Sequence, residues 1–267
     1  EHPYGYDVVP GDYDGINSAA LAAHYKQQYQ AANCTVIMSG KAEGVYKDIS
    51  MQRTMAMVRD SSMPKPLIID IFRIESKKEH QYDLPFYYLG HLVFTNVSYK
   101  AFDSVRTRLG TSNGYQHLWK EAEGNAIGGA ACTWLAGGRY YSIVSSADSL
   151  TQIIFTRIGA SDPNFNLRND PGVIIRRNAA STVFATVLEQ HGMFEPVDEI
   201  SNGASGRIKD VKVLASTDEG TVVQISGKEN LNWILTITNK GTSEKETHTI
   251  RVNDKVYEWS GPFKLLK

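Results

Sequence analysis

The sequence predicts an all-β protein, built as a large antiparallel β-sandwich with little helix. Short runs of apolar, strand-forming residues recur along most of the 267 residues, and clusters of Gly, Asn, Asp and Pro separate them. The last of these runs alternate apolar and polar residues, as half-exposed antiparallel strands do. Many short strands at regular spacing, with few helices, are typical of a sandwich.

Residues 1–33 are expected to form an irregular and helical lead-in. Residues 1–14 are rich in Tyr, Pro, Gly and Asp, and 16–30 is the one convincing helical stretch, with Asn17 or Ser18 as its cap. A turn-rich excursion within a β-protein is the alternative. The chain begins at Glu1 without a recognisable signal peptide, so we expect a processed, trimmed or fragmentary product.

The main sandwich is predicted for residues 34–200. Its strands are β-type runs divided by turn signals. They are expected at 34–38, 46–58, 67–74, 86–94, 115–123, 131–135, 140–145, 151–159, 173–177 and 181–189.

A break rich in Gly and Ser at 201–206 precedes a second series of strands. We expect residues 201–267 to form a smaller antiparallel sheet, either within the same domain or beside it. Asn and Asp residues next to Gly mark its hairpin turns. Its strands are expected at 208–215, 221–226, 233–238, 247–252 and 256–259.

Composition and charge exclude several classes of protein. The 28 basic and 29 acidic residues give a net charge of −1, which argues against a nucleic-acid or anionic-membrane partner held by bulk electrostatics. No apolar run reaches the roughly 18 residues of a membrane span. The two cysteines, Cys34 and Cys132, could form one disulfide or remain two buried thiols, and both alternatives stay open.

One cluster of polar residues is considered as a possible metal site because it contains residue types that bind metals. His80, Tyr82, Asp83 and His91 could supply several ligands, but their spacing lacks the single-face geometry of a metal-binding helix. We therefore predict no metal site there. A structural network is expected instead, in which Asp83 orients a ring nitrogen of His80.

The predicted strand 115–123 also contains polar residues. Strict alternation places His117, Trp119, Glu121 and Glu123 on one face, with Gln116, Leu118 and Lys120 on the other. His117 beside Trp119 is either a sugar-stacking platform or a pair that packs between strands.

Two loops are candidates for function. Arg157, Arg168, Arg176 and Arg177 surround a turn-rich loop, and residue types alone favour a solvated hairpin whose arginines pair with acids on neighbouring strands. At the other loop, His191 ends a strand and is followed by acidic residues. Loops at the ends of sheets often carry function, although a charged loop is usually only solvated.

Three long motifs resemble a known family. They are KEHQYDLPFYYLGHL at 78–92, NGYQHLWKEAEG at 113–124 and RIGASDPNFNLRNDP at 157–171. They resemble the C-terminal domain of the oligoalginate lyases, polysaccharide lyase family 17, within the heparinase II/III-like group. The match extends from about residue 52 to about residue 199.

The resemblance implies a polysaccharide lyase in which an (α/α) toroid precedes the β-sandwich. Such enzymes cut short alginate chains exolytically by β-elimination. Neutralising the uronate carboxylate acidifies the C5 proton, a Tyr or His base removes that proton, and a Tyr acid protonates the departing O4. The resemblance further implies zinc in the whole enzyme, alginate oligosaccharides as substrate and a periplasmic or secreted location, and it allows a homodimer.

The chain departs from the family pattern in its catalytic residues. The Asn-His pair, the His-x-His segment, the catalytic tyrosines and the zinc ligands of the family have no match here. We therefore expect a C-terminal sandwich portion that is inactive alone and whose partner is the missing toroid portion.

The resemblance also suggests roles for individual residues. Glu199, with Glu195 as second choice, is implied to approach the sugar from a late loop, and His117 and Arg168 are further substrate-binding candidates. A structural or interdomain role is implied for His80, Tyr82, Asp83 and His91.

Two alternatives remain at this point. The chain could be a stand-alone carbohydrate-binding or structural β-sandwich, or a portion of a heparin-like glycosaminoglycan lyase. The near-neutral charge counts against a sulfated substrate. A sandwich that normally packs on a toroid should expose a large apolar face, whereas a stand-alone module should be polar all over.

Overall fold

The computed structural model describes residues 34–102, 106–159, 169–241 and 243–267, which form antiparallel sheets. The predicted lead-in at 1–33 lies outside the described residues. In chain order the strands are β1 (Cys34–Glu43), β2 (Ile49–Arg59), β3 (Leu67–Ser76), β4 (His80–Tyr87), β5 (His91–Thr95), β6 (Tyr99–Ala101), β7 (Thr107–Arg108), β8 (Leu118–Asn125), β9 (Ala130–Ala136), β10 (Arg139–Ser145), β11 (Gln152–Ile158), β12 (Pro171–Ala179), β13 (Thr182–Glu195), β14 (Ile200–Asn202), β15 (Ile208–Ser216), β16 (Gly220–Gly227), β17 (Asn232–Thr238), β18 (Thr247–Val252), β19 (Lys255–Ser260) and β20 (Phe263–Leu266).

The strands assemble into four sheets. The central sheet has the order β1-β2-β3-β13-β10-β9-β5, with β14 beside β13. The outer sheet has the order β4-β12-β11-β8-β6, with β7 beside β8. The C-terminal sheet has the order β15-β16-β17-β20, and β18 pairs with β19 as a separate hairpin. The predicted all-β sandwich is confirmed.

The strands in the middle of the central sheet, β3 and β13, are buried on both faces. In β3, Ile69 and Ile71 pack towards the C-terminal sheet, whereas Ile74 packs towards the outer sheet. Phe184 of β13 joins the core shared with the outer sheet, and its neighbour Ala185 joins the core on the opposite face. Because successive side chains of a strand point to opposite faces, a strand between two layers needs apolar residues at nearly every position.

The hairpin of β18 and β19 covers the remaining face of the C-terminal sheet. Ile250, Tyr257 and Trp259 of the hairpin pack on Val222 and Ile234 of that sheet. The layers are therefore outer sheet, central sheet, C-terminal sheet and hairpin. The domain division predicted at residue 201 stays a prediction, although the sheets on its two sides share one apolar core.

The predicted strand 86–94 is wrong, because the chain turns there from one sheet to another. β4 belongs to the outer sheet and β5 to the central sheet. Gly90 lies at the corner with φ +93°, and a Cβ atom at this position would lie 2.0 Å from the carbonyl oxygen of Leu135. Only glycine accepts that backbone angle and that contact, so the strand cannot continue through it.

The predicted faces of strand 115–123 are also wrong. Tyr115–His117 forms one turn of 3₁₀ helix, and the strand begins at Leu118. A β-bulge follows, because Thr156 pairs with Lys120 while Phe155 pairs with Ala122. The extra residue reverses the alternation beyond it, so that Lys120 and Glu123 lie side by side at 3.0 Å.

Cys132 is a free, buried thiol, so the disulfide that the sequence left open is not formed. Burial raises the pKa of the Cys132 thiol to about 11. In the part of the chain that the structure describes, no helix has the length and apolar character needed to cross a membrane.

The sandwich of the outer and central sheets has two distinct ends. The turn end, as we call it, carries the connections 77–79, 126–129, 146–151 and 180–181. The loop end carries 88–90, 109–117, 137–138 and 196–199, together with the described residues 159 and 169–170. The rings of Tyr88 and Trp134 lie 4.9 Å apart and join the two sheets at the loop end.

Candidate functional site

Three segments that are distant in sequence meet at the carboxylate of Asp83. Nε and Nη2 of Arg176 each donate a hydrogen bond of 2.7 Å to it. The hydroxyl of Tyr115 donates a third, at 2.5 Å. Asp83 and Tyr115 belong to the first two motifs, and Arg176 follows the third motif on β12. The ion pair joins β4 to β12, and the tyrosine ties the 3₁₀ turn to both.

The contacts with Asp83 shift the pKa values of Tyr115 and Arg176. Burial and the hydrogen bond to Asp83 raise the pKa of Tyr115 to about 12. The hydrogen bond from Arg176 to Asp83 raises the pKa of that guanidinium. At neutral pH the cluster is therefore a charged pair with a protonated phenol, and it is suited to holding structure rather than to accepting a proton.

The expected contact between Asp83 and His80 is not formed. His80 and Tyr82 lie on one face of β4, with ring centroids 5.9 Å apart, and Asp83 lies on the other face because side chains alternate along a strand. Nε2 of His80 lies 3.2 Å from the hydroxyl of Ser76. His91 is exposed on β5 in the central sheet.

None of the described His, Cys, Asp and Glu residues form a group of three that could hold a metal ion. The residues on this part of the chain therefore do not fit the zinc that the resemblance implies for the whole enzyme. No chemistry is assigned to zinc here.

His117 is exposed at the loop end. Its backbone N–H donates to the carbonyl of Gly114 at 3.0 Å, and its own carbonyl accepts from Gly159 at 2.8 Å. Trp119 lies beyond the 3₁₀ turn, where the guanidinium of Arg108 stands 5.4 Å from its ring. Arg108, on the neighbouring strand β7, therefore stacks on the ring of Trp119.

A second ion cluster lies nearby. Glu121 accepts from Nε of Arg157 at 2.9 Å and pairs with Nη2 of Arg106 at 3.0 Å. The expectation that arginines of this region pair with acids on neighbouring strands is thus confirmed for Arg157 and Arg176. Arg168 lies outside the described residues.

Aromatic side chains close the sandwich beside this cluster. Tyr88, Trp134 and Tyr141 lie in a row, with centroid distances of 4.9 Å and 5.7 Å. Burial raises the pKa of Tyr88 to about 12. At neutral pH its hydroxyl is a hydrogen-bond donor and not a base.

The hairpin of β13 and β14 forms an acidic arm, which we define as residues 193–202. Glu195 pairs with Ile200 and closes a turn at 196–199. A carboxylate oxygen of Glu195 accepts from the N–H of Val197 at 3.1 Å. Glu199 is exposed and has the left-handed φ of 55°. Val197, at the tip, is 85% exposed.

The fold brings three of the four predicted substrate-binding residues to one end, and the fourth, Arg168, lies outside the described residues. Glu195, Glu199 and His117 all lie at the loop end, where the connection that includes Arg168 also begins and ends. His80 lies at the turn end. The row of Tyr88, Trp134 and Tyr141 was not predicted from the sequence. The Tyr-Tyr pair in the first motif is the one sequence feature that could have indicated it.

Two curated proteins are similar to the chain. An alginate lyase of Stenotrophomonas maltophilia (strain K279a) is 31% identical over 235 residues, which cover 87% of this chain and 31% of that protein. An exo-oligoalginate lyase of Saccharophagus degradans (strain 2-40) is 29% identical over 267 residues, which cover 97% of this chain and 34% of that protein. The chain is a relative of the oligoalginate lyases. The resemblance predicted from the three motifs is thereby confirmed, and the chain spans about a third of the length of these relatives.

Two solved structures are also similar to the chain. A crystal structure of heparinase III has a TM-score of 0.47 and 11% identity, and the match covers 76% of this chain and 26% of that one. A mutant of the heparan sulfate lyase HepC from Pedobacter heparinus has a TM-score of 0.44 and 8% identity, with coverages of 80% and 27%. No protein-family model matches the chain.

Proposed function

We propose that this chain is the C-terminal β-sandwich portion of an exolytic oligoalginate lyase, which cleaves uronate-containing oligosaccharides by β-elimination. The observation that carries this proposal is its similarity to two alginate lyases across 87% and 97% of its length. The relatives are about three times as long, and in this proposal the toroid that supplies the catalytic base and acid lies in the additional length. The whole enzyme acts in the periplasm or outside the cell, where the polymer is found.

The loop end is the part of the sandwich that faces the sugar in this proposal. The exposed carboxylate of Glu199 and the half-buried carboxylate of Glu195 can accept hydrogen bonds from sugar hydroxyls. Arg106, with its side chain 56% exposed, can offset the charge of a uronate carboxylate. These groups bind and orient the substrate, and proton transfer at C5 and O4 is assigned to the toroid side. Zinc and its ligands are also assigned to the portion outside this chain.

Apolar exposure supports the toroid as a partner. Leu89 is 68% exposed at the loop end, and Val197 and Ile200 of the acidic arm are 85% and 50% exposed. Val93 and Phe94 of β5 are 50% and 55% exposed. These exposed apolar side chains support an interaction surface at the loop end, although Ile127 and Leu150 at the turn end are 92% and 66% exposed as well.

The test compares this chain with the natural polypeptide that contains it. Both are incubated with short alginate oligosaccharides and, in parallel, with heparan sulfate oligosaccharides, and the ultraviolet absorbance of unsaturated uronates is followed. We expect cleavage of alginate alone, by the longer polypeptide alone. An active isolated chain, or a longer polypeptide that binds alginate without cutting it, would contradict the proposal. The second result would favour a carbohydrate-binding module.

A further inference from the structure

A buried relay of hydrogen bonds crosses the central sheet beneath the acidic arm. The hydroxyls of Thr133 and Ser142 lie 2.6 Å apart, and Ser142 lies 2.7 Å from Nε2 of His191. Nδ1 of His191 lies 2.7 Å from the carbonyl oxygen of Gly203. The side chains of β9, β10 and β13 are thereby connected to the residue that follows the arm.

The donors in this relay are fixed by chemistry. The carbonyl of Gly203 can only accept, so Nδ1 of His191 donates. In that tautomer Nε2 accepts from the hydroxyl of Ser142, which in turn accepts from Thr133. Thr133, Ser142 and His191 are at most 6% exposed. A buried network in which every group is satisfied specifies one arrangement of its surroundings.

The Ser-His pair is not a nucleophile with its base. Ser142 is 5% exposed, and its hydroxyl lies between Thr133 and His191 within the sheet. The second nitrogen of His191 is held by a carbonyl and not by a carboxylate. A sugar cannot reach this hydroxyl, so the pair acts through what it holds.

The relay holds the base of the acidic arm. At Gly192 a Cβ atom would lie 2.2 Å from the carbonyl oxygen of Gly203, so the two backbones are in direct contact. The ring of Tyr140 stacks on His191 at 6.1 Å, and its hydroxyl lies 2.6 Å from that of Ser201. The tip of the arm is exposed, while its base is clamped from within the central sheet.

We infer that His191 is a positioning residue, which sets the direction of the acidic arm and so places Glu199 and Glu195 against the sugar. This inference rests on the proposed function. A hairpin attached only by backbone pairing at the rim of a sheet would sample several directions, and the apparent affinity for the sugar would fall with the fraction of molecules whose arm has the binding direction. Fixing the arm before binding removes an ordering cost from substrate binding.

The test uses His191→Phe in the full-length polypeptide, with an alginate trisaccharide as substrate. We expect KM to rise about tenfold while kcat changes less than about threefold, since the arm binds and does not transfer protons. Amide hydrogen exchange in residues 193–203 should become faster. His191→Gln, which keeps a donor for Gly203, should recover part of both effects and serves where the phenylalanine variant folds poorly.

The matched control is His248→Phe. His248 is also buried, at 0% exposure, and its Nδ1 lies 2.7 Å from Glu219, but it belongs to the distant hairpin. It should lose stability without changing KM or exchange in the arm. Equal KM changes in the two variants, or an unchanged arm in His191→Phe, would overturn the inference while the lyase proposal stands. A wild-type polypeptide that does not cleave alginate would overturn both.

Discussion

The two ends of the sandwich are held in opposite ways. At the turn end, Arg177 is 5% exposed, and its guanidinium donates to the carbonyls of Ser146 and Val183 at 2.6 and 2.7 Å and to the hydroxyl of Thr151 at 2.9 Å. At the loop end, Arg157 is half-buried and pairs with the carboxylate of Glu121. Arg177 is buried among the residues of a core, whereas Arg157 lies beside exposed loops. A buried arginine therefore stabilises the turn end, whereas a partly exposed ion pair lies at the loop end.

The largest effect on stability should come from replacing the buried arginine, Arg177, by methionine, with the same change at Arg157 as its comparison. Arg177→Met leaves buried carbonyls without donors, so we expect a loss of about 3 kcal/mol in the free energy of unfolding. Arg157→Met removes a partly exposed ion pair and should cost less than about 1 kcal/mol. Urea denaturation of both variants measures the difference. Equal losses would break the comparison.

An alkaline titration should weaken the contacts of two half-buried tyrosines at the loop end. The pKa values of Tyr88 and Tyr115 are raised from 10.0 to about 12, so the folded state holds these protons more tightly than the unfolded state. Their stabilising contribution is complete below pH 10 and is lost as the pH rises towards 12. The melting temperature should fall in this window.

The variant Tyr115→Phe tests whether Tyr115 is the source of this alkaline loss of stability. The variant starts at a lower melting temperature, because the bond to Asp83 is gone, and its alkaline decline should be shallower than that of the wild type. Tyr46→Phe is the control, since Tyr46 is 61% exposed and lies in the turn 44–48 at the opposite end. A decline of equal slope in wild type and Tyr115→Phe would exclude Tyr115 as its source.

The smallest effect on stability is expected in the acidic arm. Glu199 has a φ of 55°, which glycine adopts without steric cost, so Glu199→Gly should change the free energy of unfolding by less than about 1 kcal/mol. Asp198→Gly, at a neighbouring position without that backbone angle, should be the less stable of the two. In the full-length polypeptide only Glu199→Gly should raise KM. A less stable Glu199→Gly would contradict this assignment of strain.

The interior of the fold was largely predictable. Strands between two layers are continuously apolar, so the prediction at 67–74 corresponds to β3 and that at 173–177 to β12. The start of β4 was missed because it carries polar residues and Pro85, which a strand tolerates at the edge of a sheet. The short edge strands β6, β7 and β14 were missed for a related reason, since few residues leave little pattern.

The sequence predicted only those parts of the candidate site whose residues are close together in the chain. Glu195 and Glu199 share one turn, and the turn residues around them indicate a loop. The contact of Ser142 with His191 joins positions 49 apart and depends on the register between β10 and β13. The meeting of Asp83 with Arg176 joins positions 93 apart. Periodicity within one segment gives no information about such register.

The pairing of β3 with β13 has a consequence for synthesis on the ribosome. Ser76 and Ser181, at the ends of these strands, are separated by 105 positions. The ribosome therefore completes β3 long before it translates β13. Until then, one edge of the apolar strand β3 lacks its native hydrogen-bonding neighbour. Pairings of such sequence separation form slowly, and open strand edges attract other chains. We expect the yield of native protein to depend on translation speed and on chaperones that shield this edge until β13 arrives.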